Sequence, residues 1–100
     1  MNITYRIDKN ILYIALEGRI DASNAAEAEE KIFGIKNENP GKHTVVDADN
    51  LEYISSAGLR VLLSAQKVMN KQGSMKLIHV CDPVMEVFEV TGFSDILTIE

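Results

Sequence analysis

A single α/β domain built on a mixed β-sheet is what this chain predicts, and three observations carry that reading. Residues 3–16 hold two apolar runs of strand period separated by turn residues, the pattern of a hairpin. From Asn24 onward, amphipathic helical stretches alternate with short apolar strands, as parallel strands joined by crossover helices require. The chain has 100 residues, 46% of them hydrophobic and 25% charged, enough for one domain over 1–100 with a core that needs no disulfide. The expected order is β-β-α-β-α-β-α-β. Its N-terminal pair is antiparallel, the remainder mainly parallel, and three or four helices cover the sheet.

Ile3, Tyr5 and Ile7 alternate with polar residues, Asp8-Lys9-Asn10 supplies the turn, and Ile11 to Leu16 forms the second strand. Glu17-Gly18-Arg19-Ile20-Asp21 reads as the turn out of it. Asn24 followed three residues later by Glu27 is an N-cap pattern. Ala25, Ala28, Ile32 and Ile35 then recur at helical spacing until Asn37-Glu38-Asn39-Pro40-Gly41. Thr44-Val45-Val46-Asp47 lacks alternation and predicts a short strand buried on both faces, followed by a loop from Asp47 to Ser56. A second helix runs from about Ser56 to Asn70. Leu59, Leu62, Leu63, Ala65, Val68 and Met69 make it apolar over much of its circumference, and Gly73 stops it. Met75, Leu77, Ile78 and Val80 form a strand, and Asp82-Pro83 caps and opens a third helix carrying Val84, Val87, Phe88 and Val90. Ile96-Leu97-Thr98-Ile99 predicts a last short strand. The turns at Gly18 to Asp21, Asp47 to Ser56 and His79 to Asp82 should then gather at one edge, where contacts to ligands or partners concentrate.

A formal charge of −5 with scattered basic residues argues against a nucleic-acid or anionic-membrane surface, which clustered Lys and Arg would provide. No stretch approaches the roughly 20 apolar residues of a membrane span, and the start of the chain lacks a leader-like pattern, so the expectation is a cytoplasmic, unanchored protein. Cys81 is the only cysteine, which rules out an intrachain disulfide or a zinc cluster and fits a reducing compartment. His43 and His79 have no carboxylates at metal-ligand spacing, so neither a metal, a cofactor nor a Ser-His-Asp arrangement is expected. Asp47 and Asp49 look like part of a phosphoaspartate receiver. Leu16-Glu17 and His79-Val80, however, stand where that site needs a second acidic pair and a lysine. Gly34 to Lys42 spells Gly-x6-Gly-Lys, too long for a nucleotide loop and without its following Ser or Thr.

The chemistry concentrates where Ser55 and Ser56 open the second helix. N–H groups of a first helical turn lack intrahelical partners and the aligned dipoles add partial positive charge, so a phosphate on either hydroxyl would be stabilised there. Serine is also among the best helix caps, and which hydroxyl caps and which is displayed stays open. Arg60, one turn from Ser56, is placed to pair with a phosphate, or simply to be solvated. Asp21 is suited to bond backbone N–H groups in the turn before the first helix. Gly58, with no side chain, is expected to let a partner's backbone approach.

Ile54-Ser55-Ser56-Ala57-Gly58-Leu59, preceded by Val45-Val46-Asp47 and followed by Val61-Leu62-Leu63, resembles the signature of STAS domains, the anti-sigma factor antagonists of bacteria and their relatives. The usual form is Asp-Ser-(Ser/Ala)-Gly-(Leu/Ile), in which the serine after the aspartate is phosphorylated. Aligned on Gly58, Ser56 takes the phosphoserine position and Ser55 stands in place of the aspartate. Ser55 is the second candidate acceptor. Glu17 to Asp21 resembles the family's Gly-x-(Leu/Ile)-Asp turn, and Asp82-Pro83-Val84 through Thr91-Gly92-Phe93 its third helix. The resemblance implies a non-catalytic, partner-binding surface of Asp21, Ser55, Ser56, Ala57, Gly58 and Arg60. It implies two partners, an anti-sigma factor with serine kinase activity and a serine phosphatase. A different class of role, a scaffold module that uses the same surface without phosphorylation, fits the departure at Ser55.

Overall fold

The computed structural model describes residues 1–40 and 43–100, in which the hydrophobic periods resolve into one four-stranded sheet of order β1-β2-β3-β4. Strands β1 (Asn2–Asp8) and β2 (Ile11–Ile20) form the antiparallel hairpin. Helix α1 (Ala25–Glu38) crosses to β3 (His43–Ile54), and helix α2 (Ser56–Gln72) crosses to β4 (Met75–Ile78), each new strand parallel to the last. Helix α3 (Asp82–Val90) and a short 3-10 turn at Phe93–Asp95 complete the chain. The mixed sheet and its element order are those the sequence predicts. The last strand is reduced to a single parallel bridge between Leu77 and Ile99, closed by Leu77 N–H to the Thr98 carbonyl at 2.8 Å.

Where a loop is expected after Asp47, β3 instead continues to Ile54, and β2 runs alongside it to Ile20. The register explains why the sequence hides this. Ala15 faces Asp47 but Glu17 faces Asn50, and Gly18 faces Leu51 but Arg19 faces Tyr53, so at two places β3 uses one residue more than β2. Each extra residue is a bulge, which bends the strand and re-aims the side chains beyond it. Core-facing residues on β3 therefore fall at Val46, Ala48, Leu51 and Ile54, with the spacing slipping from two to three. Polar Asp49 and Asn50 lie exposed at the first bulge, where the Asp47 carboxylate accepts the Asp49 N–H at 3.0 Å. Gly18, beside the second, has φ +102°, a backbone that L side chains rarely adopt.

All three helices feed one buried cluster. It unites Ile14, Leu16, Ile20 and Ile54 of the sheet with Ala28 and Ile32 of α1, Leu59, Leu62 and Met69 of α2, and Val84 and Phe88 of α3. Thus the helices cover one face. Val45, expected under a helix, is buried on the other face between its cross-strand neighbours Tyr13 and Lys76, outside the cluster. Two caps also differ from expectation. Asn24 stands at the N-cap of α1 without capping it, because its side chain is engaged with Asp21 N–H and the Arg19 carbonyl, both at 2.9 Å. Cys81, not Asp82, precedes α3, leaving Asp82 in the first turn, where its charge suits the helix dipole. The Gly41 and Lys42 end of the Gly-x6-Gly-Lys pattern lies outside the described residues.

Gly58 corrects another expectation. It is buried rather than open to a partner, and a Cβ built on it would lie 2.6 Å from Ile20 Cγ2 and 2.9 Å from Ile54 Cγ1. The missing side chain is what lets the first turn of α2 sit directly on the ends of β2 and β3. Alanine would gain about 1 kcal/mol of helix propensity and lose more to overpacking against branched core side chains, at about 1–3 kcal/mol in most cores. A net loss of about 1 kcal/mol, the middle of that difference, should lower the melting temperature of Gly58→Ala by about 4–8 °C, and Gly58→Glu should prevent folding. A calorimetric melt of Gly58→Ala that matches the parent would show that the helix has room to shift.

Candidate functional site

The ends of β2 and β3 bring the first functional segments together. Ile20 pairs with Ile54, and the next amide, Ser55 N–H, donates to the Ile20 carbonyl at 2.9 Å, so Asp21 and Ser55 leave the sheet side by side. Ser55 then adopts an extended backbone, φ −92° and ψ 175°, that turns the chain into α2. Its carbonyl accepts Leu59 N–H at 2.8 Å and its Oγ accepts Gly58 N–H at 3.3 Å. Ser55 is the cap.

Ser56 is left as the first helical residue, exposed, and among the described residues its hydroxyl makes no hydrogen bond. The amides of Ser56 and Ala57 are the two first-turn donors that the Ser55 cap does not satisfy. Ser56 thus combines an accessible acceptor oxygen with the positive end of a 17-residue helix. Among the described residues no base is bonded to this hydroxyl. It can accept a phosphoryl group from a catalyst that supplies the base, but it is not an activated nucleophile. Ala57 is half-buried at its side, and Arg60, exposed, stands one turn further along the helix.

Asp21 is committed within its own turn. One carboxylate oxygen accepts both the hydroxyl and the amide of Ser23, the latter at 2.9 Å, while its carbonyl accepts Ala25 N–H at 2.9 Å. The Ser23 hydroxyl, then the Ser23 amide, hold the Asp21 pKa below the usual carboxylate value, with Arg19 adding a smaller pull against slight desolvation. A fixed negative charge therefore stands in the turn where the chain leaves β2, next to the strand end that carries Ser55.

Arg19 and Tyr53 are missed by the sequence reading as a pair. The register sets them opposite each other, and the guanidinium lies 4.4 Å from the Tyr53 ring centroid, two residues before the Ser55 cap. Tyr53 is 40% exposed, and because its neighbour Ile54 faces the core, the pair stands on the sheet face opposite the helices. Only the second bulge brings them into register, and no local pattern marks it.

Strand β4 ends short of this edge, and the turn after it reaches as far as Leu51. Ile78 pairs with Asp47, and β3 runs seven residues further to Ile54, roughly 20 Å at strand rise. His79, at φ +58°, instead meets Asp47 at 3.1 Å, and Cys81, half-buried, donates its thiol to the Leu51 carbonyl at 3.4 Å. His43 lies at the opposite end of the strand, 2.8 Å from Ser74 Oγ. Among the described residues, no group of three His, Cys, Asp or Glu is placed to hold a metal, and no helix is long and apolar enough to cross a membrane.

Residues 2–100 match the family model of the STAS domain. A Bordetella bronchiseptica protein that carries the provisional name anti-sigma factor antagonist BtrV is 34% identical over 100 residues, spanning 99% of this chain and 85% of the relative. The anti-sigma-B factor antagonist of Bacillus subtilis is 27% identical over 100 residues, spanning 99% and 90%. Among solved structures, the anti-sigma factor antagonist SpoIIAA in its unphosphorylated form superposes with a TM-score of 0.78 over 99% of this chain and 88% of that one. Its 15% identity makes that a likeness of fold.

Two measurements test this geometry. Ser55→Ala should cost about 1 kcal/mol by removing the α2 cap, read as a lower denaturant midpoint at unchanged slope. The Asp21 carboxyl should titrate below 3.8 by carbon-detected NMR, and Ser23→Ala should move it back up. A depressed folded pKa stabilises the native state at every pH above the unfolded value, neutral solution included, and that contribution is lost only in acid, as pH falls through the folded value.

Proposed function

The chain belongs to the STAS domain family, and on that premise we propose that it works as an anti-sigma factor antagonist in a partner-switching cycle. In its unmodified form it binds an anti-sigma factor in the cytoplasm and frees a sigma factor. The anti-sigma factor's serine kinase activity then transfers the γ-phosphoryl group of ATP to Ser56 Oγ, and a serine phosphatase removes it. The domain is the acceptor and the binding partner, not the catalyst. The observation that carries this reading is the division of labour between adjacent serines: Ser55 Oγ is spent on the helix cap, and Ser56 Oγ is exposed and, among the described residues, unbonded. The names of the relatives support the class of partner.

The switch is electrostatic. A phosphoserine adds about −1.5 to −2 charge at neutral pH. The free amides and the dipole of α2 stabilise that charge on the domain itself, so the fold persists. Across an interface with a kinase that holds a nucleotide, the same charge adds repulsion and desolvation. A coupling of about 3 kcal/mol would weaken binding more than a hundredfold. Asp21, Ala57 and Arg60 flank the acceptor and take part in docking, and Gly58 supports them from beneath.

Incubated with its kinase and ATP, the parent chain should gain one phosphate by intact mass. Ser56→Ala should gain none, with stability within about 0.5 kcal/mol of the parent because no intramolecular hydrogen bond is lost. Label that persists in Ser56→Ala and disappears in Ser55→Ala would overturn the assignment. Partner affinity should rank parent above Ser56→Asp and that above phosphorylated protein, since a carboxylate brings one charge where phosphate brings nearly two. Equal affinities for all three, with no phosphate on protein from the native cell, would favour the constitutive scaffold role that Ser55 in the aspartate position allows.

A further inference from the structure

Strand β1 is an edge of the sheet, paired only with β2. The two-residue hairpin closes at the Asp8 and Ile11 pair, so Asp8, Arg6, Thr4 and Asn2 direct their backbone groups to β2. The N–H and C=O groups of Ile3, Tyr5 and Ile7 therefore point away from the sheet, six groups with no strand to meet. Those same residues carry their side chains on the helix-covered face. Ile3 is buried by the core, but Tyr5 is 46% and Ile7 45% exposed, an apolar stripe running out along the open edge.

We propose that this edge is built for a second copy of the chain. Two β1 strands pair antiparallel about a two-fold axis at Tyr5 and continue the sheet to eight strands. Only residues with outward backbone groups can form hydrogen-bonded pairs. Centring on Tyr5 sets Tyr5 against Tyr5 and Ile3 against Ile7 on both sides, satisfying all six groups of each copy. Neighbouring registers leave some unpaired. The side chains agree with that register: on one face Tyr5 meets Tyr5 and isoleucine meets isoleucine, and on the other Thr4 meets Arg6 and Asn2 meets Asp8. No like charges stand directly opposite. Arg6 is held over its own Tyr13 ring at 4.0 Å, away from the diagonal Arg6 of the second copy. Ile7 of the second copy falls beside Ile3, at the mouth of a notch of about 130 Å³ whose floor is Met1, Ile3 and Ala28 and whose rim is polar, with Asn24, Glu27 and Lys31. An interface of two short strands is small, so the dimer is weak and concentration-dependent.

Residue 5 meets its own copy at the axis, which makes a charge-swap test specific to this register. By sedimentation equilibrium the parent chain should dimerise reversibly, and Tyr5→Lys and Tyr5→Glu should each weaken the dimer about tenfold by losing the ring pair and opposing like charges. An equimolar mixture of the two variants should associate more tightly than either alone. Amide exchange should show Ile3, Tyr5 and Ile7 gaining protection with concentration while Thr4 and Arg6 stay protected throughout. A parent chain monomeric up to about 1 mM, a Tyr5→Lys dimer as tight as the parent's, or a mixture no tighter than its components would each overturn the proposal. Circular dichroism of both variants keeps misfolding from imitating dissociation.

Discussion

The pairing of Ile20 with Ile54, and the seat it makes for the first turn of α2, is the contact on which the rest of the molecule depends. Both isoleucines are buried at the far ends of their strands, and Gly58 rests on them without a side chain between. Were β2 and β3 to part a few residues earlier, the helix would start from a mobile loop. Ser55 could not reach back to the Ile20 carbonyl, and Asp21 would not lie beside it. The two bulges in β3 serve this end, since they keep Leu51 and Ile54 on the core face while polar Asp49 and Asn50 remain in water. A rigid sheet end thereby carries the exposed surface, which preorganises it for contact.

Much of the architecture was legible because it rests on period and punctuation. The alternation of Ile3, Tyr5 and Ile7, the helical recurrence of Ala28, Ile32 and Ile35, and Pro83 at the start of α3 are local signals, and each element stands where they put it. The second half of β3 was not legible. A bulged strand has no single period, and Asp47-Ala48-Asp49-Asn50 has the composition of a turn. The final strand shrank for a related reason: after the Phe93–Asp95 turn, only Leu77 and Ile99 come into register.

At the site, the presence of two serines at a helix start could be read directly, but not which of them caps. That depended on where the helix begins, and boundaries one residue apart exchange the roles. Gly58 was visible as a position that refuses a side chain, though not in which direction. Its neighbour in space is the core, through Ile20, 38 positions earlier in the chain. Arg19 over Tyr53 and His79 beside Asp47 are products of register and of a left-handed backbone respectively. Neither could be seen from residues adjacent in sequence.

A neutral cap also bears on how completely a modification at Ser56 would register. With aspartate at position 55, a phosphate would ionise next to an existing carboxylate, and the like charge would raise its second pKa above the usual value of about 6. The Ser55 hydroxyl imposes no such opposition, and the first-turn amides favour the dianion. Near neutral pH the modified surface would then carry close to its full second charge, while the unmodified one begins with one negative charge fewer. The difference in potential between the two forms, rather than the potential of either, is what a partner measures. Replacing an acid by a hydroxyl at the cap enlarges that contrast and makes it less sensitive to acidification of the surroundings.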